Sequence, residues 1–107
     1  MSIRVWLSYD FGVQGDYESL YAWLDEHRAQ ECGNGIATFL WESDDIGNIK
    51  SEIEKSLKSD INFTKKDRVY LIFQKEESRS YIGSFIIGKR KATPWEGYSR
   101  ELSEDDE

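Results

Sequence analysis

The sequence predicts a single α+β domain in which two helices cover one face of a mainly antiparallel sheet. Three observations predict it. A strand of strict alternation opens the chain, two amphipathic stretches recur at helical spacing, and β-rich segments bounded by turn signals fill the rest.

Ile3, Val5, Leu7, Tyr9 and Phe11 alternate with Arg4, Trp6, Ser8 and Asp10, the period of two of a strand. Gly12-Val13-Gln14-Gly15 reads as a loop, and Asp16 is placed to cap a helix. Tyr17, Leu20, Tyr21 and Leu24 share one helical face, and the helix is expected to run to the neighbourhood of Arg28. Gly33-Asn34-Gly35 is a turn signal between Ala29–Cys32 and the β-rich Ile36–Glu42, a hairpin with a short first arm. Ser43, Asp44 and Asp45 offer caps for a second helix. Its apolar stripe is Ile46, Ile49, Ile53 and Leu57, with Glu52, Glu54, Lys55 and Lys58 facing water. After a loop at 62–66, Val69–Gln74 is the clearest strand of the chain. A polar turn at 76–79 leads into another strand, Tyr81–Gly88. The order is βαββαβ with one extra C-terminal strand, the ferredoxin-like arrangement. Residues 1–98 form the domain, and 99–107 form an acidic tail expected to be disordered.

Composition narrows the function. The chain has 107 residues, 38% apolar and 14% aromatic, enough for one dense core. A net charge of −7 argues against broad nucleic-acid binding, because phosphates repel an acidic surface. Much of that charge lies in the tail, so the body is mildly acidic and a local basic patch is allowed. A single cysteine, Cys32, forbids an internal disulfide. With no leader-like or membrane-spanning apolar run, a cytoplasmic protein off the membrane is expected.

Two helices on one face leave the other face of the sheet open, yet the strands carry large apolar residues in both registers. Val5, Leu7, Val69, Leu71, Phe73, Ile82 and Ile86 make one set. Trp6, Phe39, Trp41, Tyr70, Ile72, Phe85 and Ile87 make the other, which is expected to be an interface. Left bare, it would exceed the apolar patch a monomer tolerates. Either a face-to-face homodimer covers it, or the C-terminal segment folds Trp95 and Tyr98 back across it.

Few residues suggest chemistry. Asp10 ends the first strand before a glycine-containing loop, where a carboxylate either binds a hard divalent cation or caps the loop through backbone amides. His27 is the only histidine and sits near a helix end, a place for a dipole partner. Cys32 beside a turn reads as structural. The glycines form no phosphate-binding fingerprint. Lys89-Arg90-Lys91 with Trp95 is the one basic cluster next to an aromatic. It either grips a phosphate or base, or pairs with the acidic tail or a dimer mate.

Val5-Trp6-Leu7-Ser8-Tyr9-Asp10, a helix opening at Asp16, a short hairpin and a second helix together resemble the small CRISPR-adaptation nuclease-fold family and its VapD-like relatives over residues 3–74. The resemblance implies a ferredoxin-like dimer. For the nucleases of that family it implies a metal-dependent endonuclease, with Asp10 as the catalytic, metal-binding aspartate and Mg or Mn as cofactor. The segment around Thr38-Phe39 departs from the family pattern. Two functions follow: a non-enzymatic protein-interaction or regulatory module without cofactor, which the acidity and the second apolar face favour, and the Asp10 endonuclease as its alternative.

Overall fold

Strand β1 (Ser2–Asp10) runs through the middle of a five-stranded sheet ordered β2-β3-β1-β4-β5, with every neighbouring pair antiparallel. This is a computed structural model, and it describes residues 1–75, 79–90 and 93–99. Helix α1 (Tyr17–Glu26) follows β1, and the hairpin of β2 (Gln30–Gly33) and β3 (Ile36–Glu42) comes next. A 3-10 turn at Ile46–Asn48 opens α2 (Ile49–Asp60), and β4 (Arg68–Gln74) and β5 (Tyr81–Ile87) close the sheet. The architecture is ferredoxin-like, with β5 as the extra strand paired to β4 in its own sheet.

Local signals explain the boundaries. The Asp16 carboxylate accepts the Ser19 N–H at 3.3 Å and so caps α1. That helix closes when Ala29 N–H reaches the Leu24 carbonyl at 2.9 Å, with Arg28 in the left-handed region at φ 56°. Asp45 caps the 3-10 turn by accepting the Gly47 N–H at 2.9 Å. The β2–β3 turn needs Gly35 at φ 77°, because a Cβ there would come within 3.0 Å of the Tyr9 carbonyl.

The core lies between the helices and the face of the sheet that carries Val5, Leu7, Ala37, Phe39, Val69 and Leu71. From α1 it takes Leu20, Trp23 and Leu24, and from α2 Ile49, Ile53 and Leu57. Each large side chain buried here contributes roughly 1.5–3 kcal/mol. The apolar face of α1 is rotated from the expected stripe: Trp23 fills the core, while Tyr21 is 55% exposed. The indole explains the rotation. Its Nε1–H donates to Ser56 on α2 at 2.9 Å, so Trp23 ties the two helices as well as filling space. Ile46 belongs to the 3-10 turn and packs on the rim of the core.

Two expectations about the second face are corrected. Phe39 pairs with Val5, Trp41 with Ile3 and Ile87 with Val69, so all three point toward the helices and not toward the open side. The slip has physical causes. Facing residues of paired strands share a face, so Phe39 must follow Val5; and a bulge between Val69 and Tyr70 turns both Ile86 and Ile87 into the core. In addition, Trp95 and Tyr98 are 71% and 63% exposed, so the described C-terminal residues do not cover the sheet.

Candidate functional site

With the helices on one side, the open face of the sheet is a grid of cross-strand rows. One row runs Ile36, Ser8, Tyr70, Phe85 and the next Thr38, Trp6, Ile72, Gly83. Asp10 faces Arg68 beyond the first row, and Arg4 faces Leu40 beyond the second. Of the expected interface residues, Trp6, Tyr70, Ile72 and Phe85 stand here, each half-buried. Sequence reasoning passed over Ile36 and Leu40 beside them, which are 37% and 52% exposed. The alternation on β3 carries that signal once Phe39 is assigned to the core.

Aromatic contacts fix the shape of the grid. Tyr70 meets Phe85 edge to face at 4.9 Å, and Trp6 meets Tyr81 edge on at 6.2 Å. Such pairs contribute about 0.5–1.5 kcal/mol beyond their burial. The Tyr70 ring lies over Gly83, where an added Cβ would come within 2.6 Å of its hydroxyl. Glycine is the residue that lets this ring lie flat against the sheet.

A shallow groove of about 460 Å³ crosses the end of this grid, between Asp10, Arg68, Tyr70, Phe85 and Arg90. The Asp10 carboxylate makes no ion pair among the described residues. Loop capping falls to two other aspartates. Asp67, only 1% exposed, accepts the Gly12 N–H at 3.1 Å and the Thr64 N–H at 2.8 Å. Asp16 joins its cap of α1 to the Asn62 N–H at 3.1 Å. These amide bonds, Asn62 first, hold the Asp16 carboxyl below the usual carboxylate range. The hydroxyl of Ser2 does the same for Glu42. Asp67 went unnoticed in the sequence because nothing local marks it as buried.

The donor set around Asp10 does not fit a divalent cation within one chain. No group of three potential ligands forms among the described residues, and the groove supplies the guanidinium groups of Arg68 and Arg90 where further carboxylates are needed. His27 is engaged by its own helix: its Nδ1 lies 2.7 Å from the Trp23 carbonyl and its ring stacks on Trp23 at 3.9 Å. Trp41 extends the stack and donates its indole N–H to Glu52 at 3.2 Å. Cys32 is exposed, with Sγ 3.7 Å from the Ile36 carbonyl. Of the basic cluster, Lys89 and Arg90 are exposed at the end of β5, Trp95 stands out in solvent, and Lys91 lies outside the described residues. No family model, curated protein or solved structure matches this chain.

Proposed function

We propose that this chain is a non-enzymatic interaction module that self-associates through the open face of its sheet. One observation carries the reading: on the open face of β1, Trp6 and Ser8, and outside them Arg4 and Asp10, stand symmetrically about one midpoint. A two-fold axis lying between two facing sheets, perpendicular to β1, lays each β1 antiparallel over its copy. Aligned sheet packing tolerates a rotation of about 30° from this ideal. The row of Ser8 then sits on the row of Trp6. Trp6 lies over Ser8, large on small, while Tyr70 lies over Ile72 and Phe85 meets the Tyr70 ring that covers Gly83 in the copy. Asp10 lies over Arg4, so the charges at the two ends of β1 pair. Apolar bulk at the centre and opposite charges at the rim are what a stable isologous contact uses. No helix among the described residues is long and apolar enough to cross a membrane.

Sedimentation velocity over a concentration series tests this. The expected result is a dimer that Trp6→Arg converts to monomer, that Arg4→Asp and Asp10→Arg each weaken, and that the double exchange restores. A monomer at every concentration, or a double exchange as weak as either single one, overturns it. The endonuclease alternative rests on the resemblance and needs donors from a second copy. Its own arm is cleavage of labelled RNA and DNA with Mg²⁺ or Mn²⁺, lost with chelator and in Asp10→Ala.

A further inference from the structure

The carboxyl end of β1 carries a second concavity, which adjoins the Arg68–Arg90 groove and shares Ser8, Asp10 and Ile36 with it. Its volume is about 500 Å³, and its walls include Tyr9, Tyr17, Tyr21, Asp10 and Asn34. The cleft beside it shares Tyr9 and Tyr21 and adds Asp25 and Glu31. Among the described residues, no lysine, arginine or histidine lines either one. Three phenol rings and one carboxylate therefore line the first space, and two of those rings with two further carboxylates line the second.

The rings are held in place before any ligand arrives. The Tyr17 hydroxyl donates to the Phe11 carbonyl at 3.2 Å, and its ring packs on Phe11 at 5.3 Å. Tyr21 stands 5.7 Å from Tyr17, centroid to centroid, and remains more than half exposed. Tyr9 is fixed through its backbone, which donates to the Gly35 carbonyl at 2.8 Å. Burial, followed by the neighbouring Tyr21, Glu31 and Tyr17, pushes the Tyr9 hydroxyl above the ordinary phenol range, as expected where the field is negative.

Aromatic rings beside carboxylates are a chemistry that recognises an alkylated ammonium, through ring quadrupoles and charge together. We propose that this tyrosine pocket binds a methylated ammonium group, such as the head of choline or of a methylated lysine side chain. None of its three rings belongs to the open grid, although Ser8, Asp10 and Ile36 line both the pocket and that face.

The test uses the full-length chain and follows tyrosine ring protons by NMR. Choline chloride should shift the rings of Tyr9, Tyr17 and Tyr21 saturably. Its neutral isostere, 3,3-dimethylbutan-1-ol, should not. Tyr21→Ala, whose exposed side chain leaves the core intact, should weaken choline binding about three- to tenfold. Glu31→Gln should weaken it less and reduce its salt dependence. A peptide bearing trimethyllysine, titrated beside choline, separates the two sources of the group: tighter binding of the peptide marks a protein ligand, and equal binding marks the free cation. No saturable shift with choline, an equal shift with the neutral isostere, or unchanged affinity in a folded Tyr21→Ala variant overturns the proposal.

Discussion

Val5 and Trp6 are neighbours in the chain and opposites in environment. Val5 is fully buried between Phe39 and Phe73 beneath the helices, whereas Trp6 stands half-exposed between Thr38 and Ile72. The whole sheet repeats the contrast. Its covered face is continuous aliphatic and aromatic packing closed by Trp23, and its open face alternates bulk with Ser8 and Thr38. A core packs best when every position is filled, since voids forfeit contacts. A surface that must receive another surface needs hollows as well as knobs. The two faces therefore teach that apolar content alone does not separate core from interface; the pattern of large and small residues does.

The sharpest way to break this comparison is to truncate one side chain on each face. Phe39→Ala removes a ring that is 1% exposed and is expected to cost about 3–5 kcal/mol in urea unfolding. Ile72→Ala on the open face is expected to cost about 1 kcal/mol, because only part of its surface leaves water. Its larger effect should fall on self-association, read as loss of the concentration dependence of Tm. Equal stability costs at the two positions would dissolve the distinction between the faces.

A second contrast concerns charge. The covered side encloses one carboxylate, Asp67, between the loops that precede α1 and β4. Asp67→Ala leaves the Gly12 and Thr64 amides without their acceptor and is expected to cost about 1–3 kcal/mol. Asp10→Ala, on the exposed end of β1, should leave the unfolding curve of the dilute monomer unmoved. Chemical denaturation of the two variants side by side measures this. A stable Asp67→Ala variant would mean that water replaces the carboxylate freely and that the two loops hold together without it.

How far the residues announced all this differs by scale. Element order, the β2–β3 hairpin and the existence of β5 follow from local periodicity and turn chemistry, and the strands and α1 appear within a residue or two of where those signals put them. Helix α2 begins at Ile49 after the 3-10 turn, and the pairing of β5 with β4 emerges only in the fold. Faces were harder. Phe39, Trp41 and Ile87 look alike to Trp6 and Phe85 until the register with β1 and β4 is known, and register is a property of two strands together. Tyr21 and Trp23 exchanged roles for a similar reason, since a hydrogen bond to Ser56 on the other helix decides which ring turns inward. The tyrosine pocket was invisible at the level of sequence because Tyr9, Tyr17 and Tyr21 come from two elements that meet only in the fold.

The smallest expected effect concerns Asp16, the partly exposed counterpart of buried Asp67. Its folded pKa lies below its unfolded value because the Asn62 and Ser19 amides donate to the ionised form. The sign follows from linkage: a depressed carboxylate contributes stability that is present above the unfolded value of about 3.9 and is lost as pH falls through the lower folded value. Thermal melts followed by circular dichroism should therefore show an acid limb below about pH 4 in the native chain. Asp16→Asn keeps an oxygen acceptor but no ionisable proton, so its limb should be shallower, and its deficit at neutral pH should shrink toward acid. Glu42, lowered by the Ser2 hydroxyl, titrates in the same window and accounts for part of the slope that remains. Parallel limbs in the two proteins would show that the Asn62 and Ser19 contacts do not favour the charged form, and that the link between α1 and the loop after α2 is held by packing alone.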